Sequence, residues 1–151
     1  MGRPRAGLWP GARGGGLPAL PLALARPGWH WSLAEATGKK AGFLREVQTA
    51  LGLDHIQVFA DYLKPGVNPQ SRFYDLITAR GLAGLGRLAA LAGPRLSPGG
   101  RLLAFKGPKG EQELQAGSAA LAAWGLELDR RLDLTLPLVE ARRILLLFTK
   151  R

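Results

Sequence analysis

Two charged residues stand where an α/β chain most readily does chemistry: Glu35, ending the run Trp29–Ala34, and Arg80, following Phe73–Ala79. In the first run Trp29, Trp31 and Leu33 alternate with His30, Ser32 and Ala34, the period of a strand. Thr37 and Gly38 then break the chain. A helix follows, with Phe43, Leu44, Val47 and Leu51 on one face and Lys40, Arg45 and Gln48 turned away. A carboxylate carried to a strand's C-terminal tip, with a helix close behind, can accept hydrogen bonds from both ribose hydroxyls of a nucleotide-like ligand. That is how open α/β sheets hold such ligands in the crevice at their strand ends. The competing reading of Glu35 is an acid that caps or solvates a loop. The sharper reading requires Glu35 and Arg80, each at the tip of a parallel strand, to share one pocket.

Composition narrows the chemistry further. The chain has no cysteine, so disulfides, thiolate metal sites and cysteine nucleophiles are excluded. Its two histidines, His30 and His55, have no partner at metal-ligand spacing. No apolar run approaches the ~20 residues of a membrane span, so no membrane partner is expected. The net charge of +10 favours a polyanionic partner, because fixed positive charge gains by releasing counterions from phosphates. The bias of a GC-rich genome toward Arg, Gly, Ala and Pro is the competing explanation. The basic residues are dispersed, which suits a surface field better than a groove-reading helix.

The elements that must position Glu35 and Arg80 form one domain of 151 residues. Residues 1–16 carry Arg3, Arg5 and Arg13, no acid and many glycines and prolines; they show no period and are expected to be irregular, with the folded domain spanning 17–151. Residues 17–25 read either as the apolar core of a secretory signal or as a helix fed by the glycine loop 14–16. After the Glu35 unit come a strand (55–60), a loop (61–72) punctuated by Pro65-Gly66 and Asn68-Pro69, and a buried strand (73–79). A helix (82–91), a tight turn (97–100), a strand (101–106) and a helix (109–124) follow. Strand 126–134 breaks phase at Arg130-Arg131, which predicts a bulge. Strand 144–149 is continuously apolar, which predicts burial on both faces. The alternation gives a three-layer α/β fold with a mostly parallel sheet and an antiparallel last pair; a first strand before residue 17 is doubtful.

Three stretches narrow the reading: E-A-T-G-K-K-A-G-F-L-R-E-V (35–47), F-Y-D-L-I-T-A-R-G-L-A-G-L (73–85) and L-S-P-G-G-R-L-L-A-F-K-G (96–107). At these separations the chain from about residue 14 onward resembles the RsmG (GidB) family of class I, Rossmann-like S-adenosylmethionine-dependent methyltransferases. The resemblance implies methylation of guanine N7 in small-subunit ribosomal RNA, with S-adenosyl-L-methionine as cofactor, in a cytoplasmic monomer. It implies that Glu35 holds the cofactor ribose, that Gly14, Gly16 and Leu17 lie beneath the methionine part, and that Leu63 and Lys64 line the adenine pocket. Arg80 would sit at the cofactor edge and Lys106 would face the RNA. No catalytic side chain is expected, because N7 already carries a nucleophilic lone pair and the work is orientation.

The sequence also departs from the family. Where the family's first strand ends in an acid and a glycine-rich loop, residues 10–19 read P-G-A-R-G-G-G-L-P-A: Pro10 takes the acid's place, Ala12 and Ala19 take glycines', and Arg13 a small polar residue's. Tyr62 and Lys64 replace an arginine and an acid on the adenine side, and the family's N-terminal helical portion has no counterpart. Residues 1–16 therefore read as unrelated sequence joined to a sound domain, and they are expected to pack poorly. A catalytically impaired, basic rRNA-binding relic of the same fold is the other function this leaves open.

Overall fold

A computed structural model describes residues 5–11, 15–69 and 71–151. Seven strands form one sheet in the order β3-β2-β1-β4-β5-β7-β6. They are β1 (Ala6–Trp9), β2 (His30–Ala34), β3 (Ile56–Phe59), β4 (Tyr74–Arg80), β5 (Leu96–Lys106), β6 (Leu126–Leu136) and β7 (Ala141–Lys150). The first five run parallel, and β7 lies antiparallel between β5 and β6. Four helices join them: α1 (Ala19–Ala25), α2 (Gly38–Ala50), α3 (Leu85–Ala92) and α4 (Gly110–Ala123). The expected three-layer architecture is what the chain adopts.

The strand order puts β1 in the centre, so Ala6–Trp9 are not irregular as expected; residues 1–4 and 12–14 of the same expected stretch lie outside the described residues. Ala6–Trp9 pairs with β2 on one side and β4 on the other. Its alternate residues feed the two halves of the core. Leu8 packs with Ile77, Leu85 and Leu88 beneath α3 and α4. Trp9, fully buried, packs with Leu20, Trp31 and Leu44 beneath α1 and α2. Gly7 completes the fit: a Cβ there would stand 2.6 Å from the Trp31 ring. Four residues, A-G-L-W, show too short an alternation to register against the surrounding Gly, Pro and Arg, yet they suffice to bridge two strong strands.

Other boundaries shift for local reasons. The turn at 97–100 is instead a distortion within β5, where the pairing register with β4 slips between Tyr74 and Leu76. Helix α3 starts at Leu85, leaving Leu82 in the loop that precedes it. The expected irregularity in β6 appears as a register shift between Leu128 and Arg130. Strand β7 is not buried on both faces. Ile144, Leu146 and Phe148 are sealed beneath α4, while Leu145 and Leu147 are half-buried on the face that also carries Leu103 and Phe105. Among the described residues that face meets only the edge of α1, at the margins of two open depressions.

Candidate functional site

All five parallel strands end at the same edge of the sheet, and the loops that leave them enclose a cleft of about 420 Å³. Glu35 lines it. The Glu35 backbone N–H donates to Phe59 O at 2.8 Å, prolonging the β2–β3 ladder by one rung. The residue is 6 % exposed. Oε1 accepts the Thr37 N–H at 2.9 Å, at the entrance to α2, and no other protein group among the described residues bonds the carboxylate. Among those residues, neither a lysine nor an arginine pairs with it in the way that would mark a structural ion pair.

Pro10 and Gly11, which follow β1, line the same cleft. Gly11 has φ +73°, and a Cβ on it would stand 2.2 Å from Ala34 O. Only glycine lets the β1 exit pass this closely over the β2 tip. The substituted P-G sequence thus keeps one position of the loop where glycine is sterically required. Ala12, Arg13 and Gly14 lie outside the described residues.

The opposite wall comes from the loop after β3 and from α3. Asp61, Tyr62 and Leu63 line it, with Arg87 of α3 facing them. Asp61 Oδ1 accepts the Tyr62 N–H at 2.7 Å. Arg87 Nη2 donates to Tyr62 Oη at 2.6 Å, tying the loop to the helix. Asp61 is the site residue that the sequence reading missed. That reading placed the loss of a carboxylate at Lys64, whereas Asp61 supplies one nearby. The signal was available: Asp61 follows a strand tip as Glu35 does, and the argument made for the first acid applies to the second.

The other expected residues are distributed differently. Leu63 lines the Glu35 cleft. Lys64 lines a smaller neighbouring recess, where its carbonyl accepts a bond from Arg95 Nη2 at 3.1 Å. Burial lowers the pKa of the Arg95 guanidinium, against the raising influence of Tyr74 and Asp61; it also donates to Leu91 O at 2.6 Å, so it braces the wall behind the cleft. Gly16 has φ +87°, and a Cβ there would meet Leu20 and Leu44 at 2.6 and 2.8 Å, so its role is to seat α1 against α2. Arg80 does not share a pocket with Glu35. It lines a second, larger depression of about 730 Å³, together with Leu17, Phe105 and Arg143. Gly81 lies on the rim of both, so the two depressions adjoin at one edge of the sheet. Lys106 also lines the second depression, but its side chain is 7 % exposed. Its ammonium donates to Ala83 O and pairs with Glu113 at 2.6 Å, so it links the β4–α3 loop to α4 and offers no free charge to a polyanion.

Among the described residues no three His, Asp or Glu side chains gather in a way that could hold a metal ion. Among them, too, no helix is long and apolar enough to cross a membrane. The arrangement is a cleft lined by two acids and by Gly11, next to a basic and apolar depression.

Comparison with known proteins shows the family and the fold. The family model described as rRNA small subunit methyltransferase G matches residues 11–134. The chain is 36% identical over 133 residues to the ribosomal RNA small subunit methyltransferase G of Polynucleobacter asymbioticus, covering 88% of this chain and 59% of that protein. It is 42% identical over 118 residues to the protein of the same name from Sorangium cellulosum, covering 78% and 47%. The chain thus spans about half the length of the curated relatives it matches. Among solved structures, TrmN from Thermus thermophilus superposes with a TM-score of 0.74 at 20% identity, over 98% of this chain and 44% of that one. Geranyl diphosphate methyltransferase, in complex with GPP and sinefungin, gives 0.70 at 14% identity, over 100% and 74%. These likenesses show the fold, that of class I S-adenosylmethionine-dependent methyltransferases.

Proposed function

Since the chain belongs to the rRNA small subunit methyltransferase G family, we propose that it binds S-adenosyl-L-methionine in the Glu35 cleft and methylates guanine N7 in small-subunit ribosomal RNA. The observation that carries this is the buried Glu35 carboxylate at the β2 tip, paired with no cation among the described residues and open to a cleft whose far wall holds a second acid, Asp61. Its chemistry suits a ribonucleoside. A carboxylate with one backbone donor has acceptor capacity left for a pair of vicinal hydroxyls.

Asp61 has the chemistry to accept from an exocyclic amine, and Leu63 gives the purine an apolar surface. Gly11 brings backbone up to the ligand. Leu17 and Arg80 line the second depression, where the target base would enter; Arg80 and Arg143 there offer planar cations to phosphate or base. Gly16 acts through packing and Lys64 through its backbone carbonyl, while Gly14 lies outside the described residues. Bound there, S-adenosyl-L-methionine would supply an electrophilic sulfonium methyl; the N7 lone pair would form the new C–N bond as the methyl–sulfur bond breaks and S-adenosylhomocysteine leaves, so no proton has to be removed. The protein's contribution is orientation and exclusion of water, which accounts for a site without a His, Ser or Cys constellation.

Calorimetric titration with S-adenosylhomocysteine tests the cofactor, and transfer of radiolabelled methyl to small-subunit rRNA, mapped by position, tests the substrate. Micromolar binding that Glu35→Gln weakens, together with N7-methylguanine in the product, is the expected pair of results. Cofactor binding that is absent, or that ignores Glu35, would refute the assignment.

A further inference from the structure

A second recess, of about 700 Å³, opens at the opposite edge of the sheet, where the parallel strands begin. Three arginines surround it: Arg5 just before β1, Arg26 just after α1, and Arg101 in β5. All three are exposed, and none makes an ion pair among the described residues. The Arg5 guanidinium lies 5.5 Å from the centre of the Trp29 ring. Trp29 in turn stacks on Trp31, with ring centroids 6.1 Å apart and planes inclined by 21°. Trp31 also lines the recess, and its indole N–H, in a residue 2 % exposed, has no hydrogen-bond partner among the described residues. One acid, Asp75, is present, and its Oδ2 accepts the Ala6 N–H at 2.8 Å.

We propose that this recess is a second nucleic-acid site, holding a single-stranded stretch of the substrate RNA by phosphate contacts to Arg26 and Arg101 and by stacking of a base on the Trp29 ring in the place Arg5 covers, the displaced guanidinium turning to the adjoining phosphate. Three cations around a paired indole platform have the chemistry of a single-strand site: charge follows the backbone, and a flat ring receives a base whatever its identity. A duplex keeps its base faces covered, so the platform selects for unpaired nucleotides. Opposition to the cofactor cleft gives the site a purpose. β4 runs from Asp75 at this recess to Arg80 at the other edge, a span of roughly 17 Å at the usual rise per strand residue. RNA held at both ends of the sheet is fixed in direction as well as position, which a single contact at the methylated base cannot achieve. The inference rests on the RNA substrate proposed above.

The test is fluorescence-anisotropy titration of the full chain with a short labelled single-stranded RNA, across a potassium chloride series. For Arg26→Gln/Arg101→Gln the slope of log K against log salt is expected to fall by about 1.4, at ~0.7 per lost single-strand contact, and affinity at roughly 0.1 M salt by about 25-fold. Trp29→Leu is expected to weaken binding at least about fivefold with the slope unchanged, and Trp29→Phe to restore most of it. S-adenosylhomocysteine affinity should be unaltered in all of them. RNA binding with wild-type slope and affinity in these variants would overturn the second site and leave the RNA substrate standing. A wild-type chain that binds no RNA would remove both. Uridine 5′-monophosphate binding as tightly as the oligonucleotide would mark a small-anion site and overturn the proposal.

Discussion

Replacing Glu35 by glutamine separates a ligand-binding acid from a structural one. The substituted amide keeps a carbonyl oxygen that can accept the Thr37 N–H, the one protein bond the Glu35 carboxylate makes among the described residues. The change also removes a charge, on a buried residue, that no cation among those residues pairs with directly. The fold therefore loses nothing, and the melting temperature is expected to stay within about 2 °C of wild type. The cofactor loses much more. A ribose hydroxyl donating to a carboxylate is worth ~1.5–3 kcal/mol, and the amide turns a donor toward that hydroxyl. A loss of about 2–3 kcal/mol corresponds to roughly 30- to 150-fold weaker S-adenosylhomocysteine binding. Calorimetry at matched pH, with thermal circular dichroism on the same samples, measures both quantities. A Glu35→Gln variant that binds within about threefold of wild type would show that the carboxylate does not meet the ribose. One that melts far lower would show that its role is to hold the β2–α2 junction.

Four further outcomes follow from the same geometry. Trp9→Ala should cost about 3–5 kcal/mol in denaturant unfolding, because Trp9 fills the core between β1 and α1; a cost below about 1 kcal/mol would contradict a central β1. Tyr62→Phe keeps the ring but loses the bond from Arg87, and should speed S-adenosylhomocysteine release in stopped flow by about fivefold, the worth of ~1 kcal/mol; an unchanged rate would mean the loop is held without it. Lys106→Met should lower the melting temperature by leaving Glu113 and Ala83 without their cation, while leaving the salt slope of RNA binding unchanged, since that ammonium is already engaged. Hydrogen bonds from Arg131 and then Arg142 hold the Asp133 carboxyl down at about 2. A depressed carboxyl contributes stability above its unfolded value near 3.8 and loses it as pH falls toward 2. Melting scans over that window should fall more steeply for wild type than for Asp133→Asn, and parallel curves would show that the ion pairs are solvated away.

What could be read from the chain followed the strength of its periods. β2 and α2 announce themselves through alternating or helically spaced residues, and β4 and β7 through short apolar runs, and with them came the layer architecture and Glu35. β1 could not be read in the same way. Its four residues carry two large apolar side chains, and comparison with the family's usual glycine loop drew attention to the residues that had changed. The structure gives those changes a different weight. A central strand needs something to bury on each face and a backbone that closes on its neighbours; Leu8, Trp9 and Gly7 supply that whatever precedes them. The next requirement is a tight exit over the β2 tip, and Gly11 meets it. Lys106 fails in the opposite sense. At the end of a strand a lysine reads as solvent-facing, but its fate was decided by Glu113 and Ala83, which belong to elements distant in sequence. Arg80 shows the same limit at smaller scale. The strand-tip argument placed it at the correct edge of the sheet, while the choice between two adjoining depressions depended on how β4 leaves that edge at Gly81. Sequence period thus assigns a residue to an edge or a face. Which neighbour it meets there is settled by packing between elements, which sets Asp61 in the cleft wall and ties Lys106 to Glu113 and Ala83.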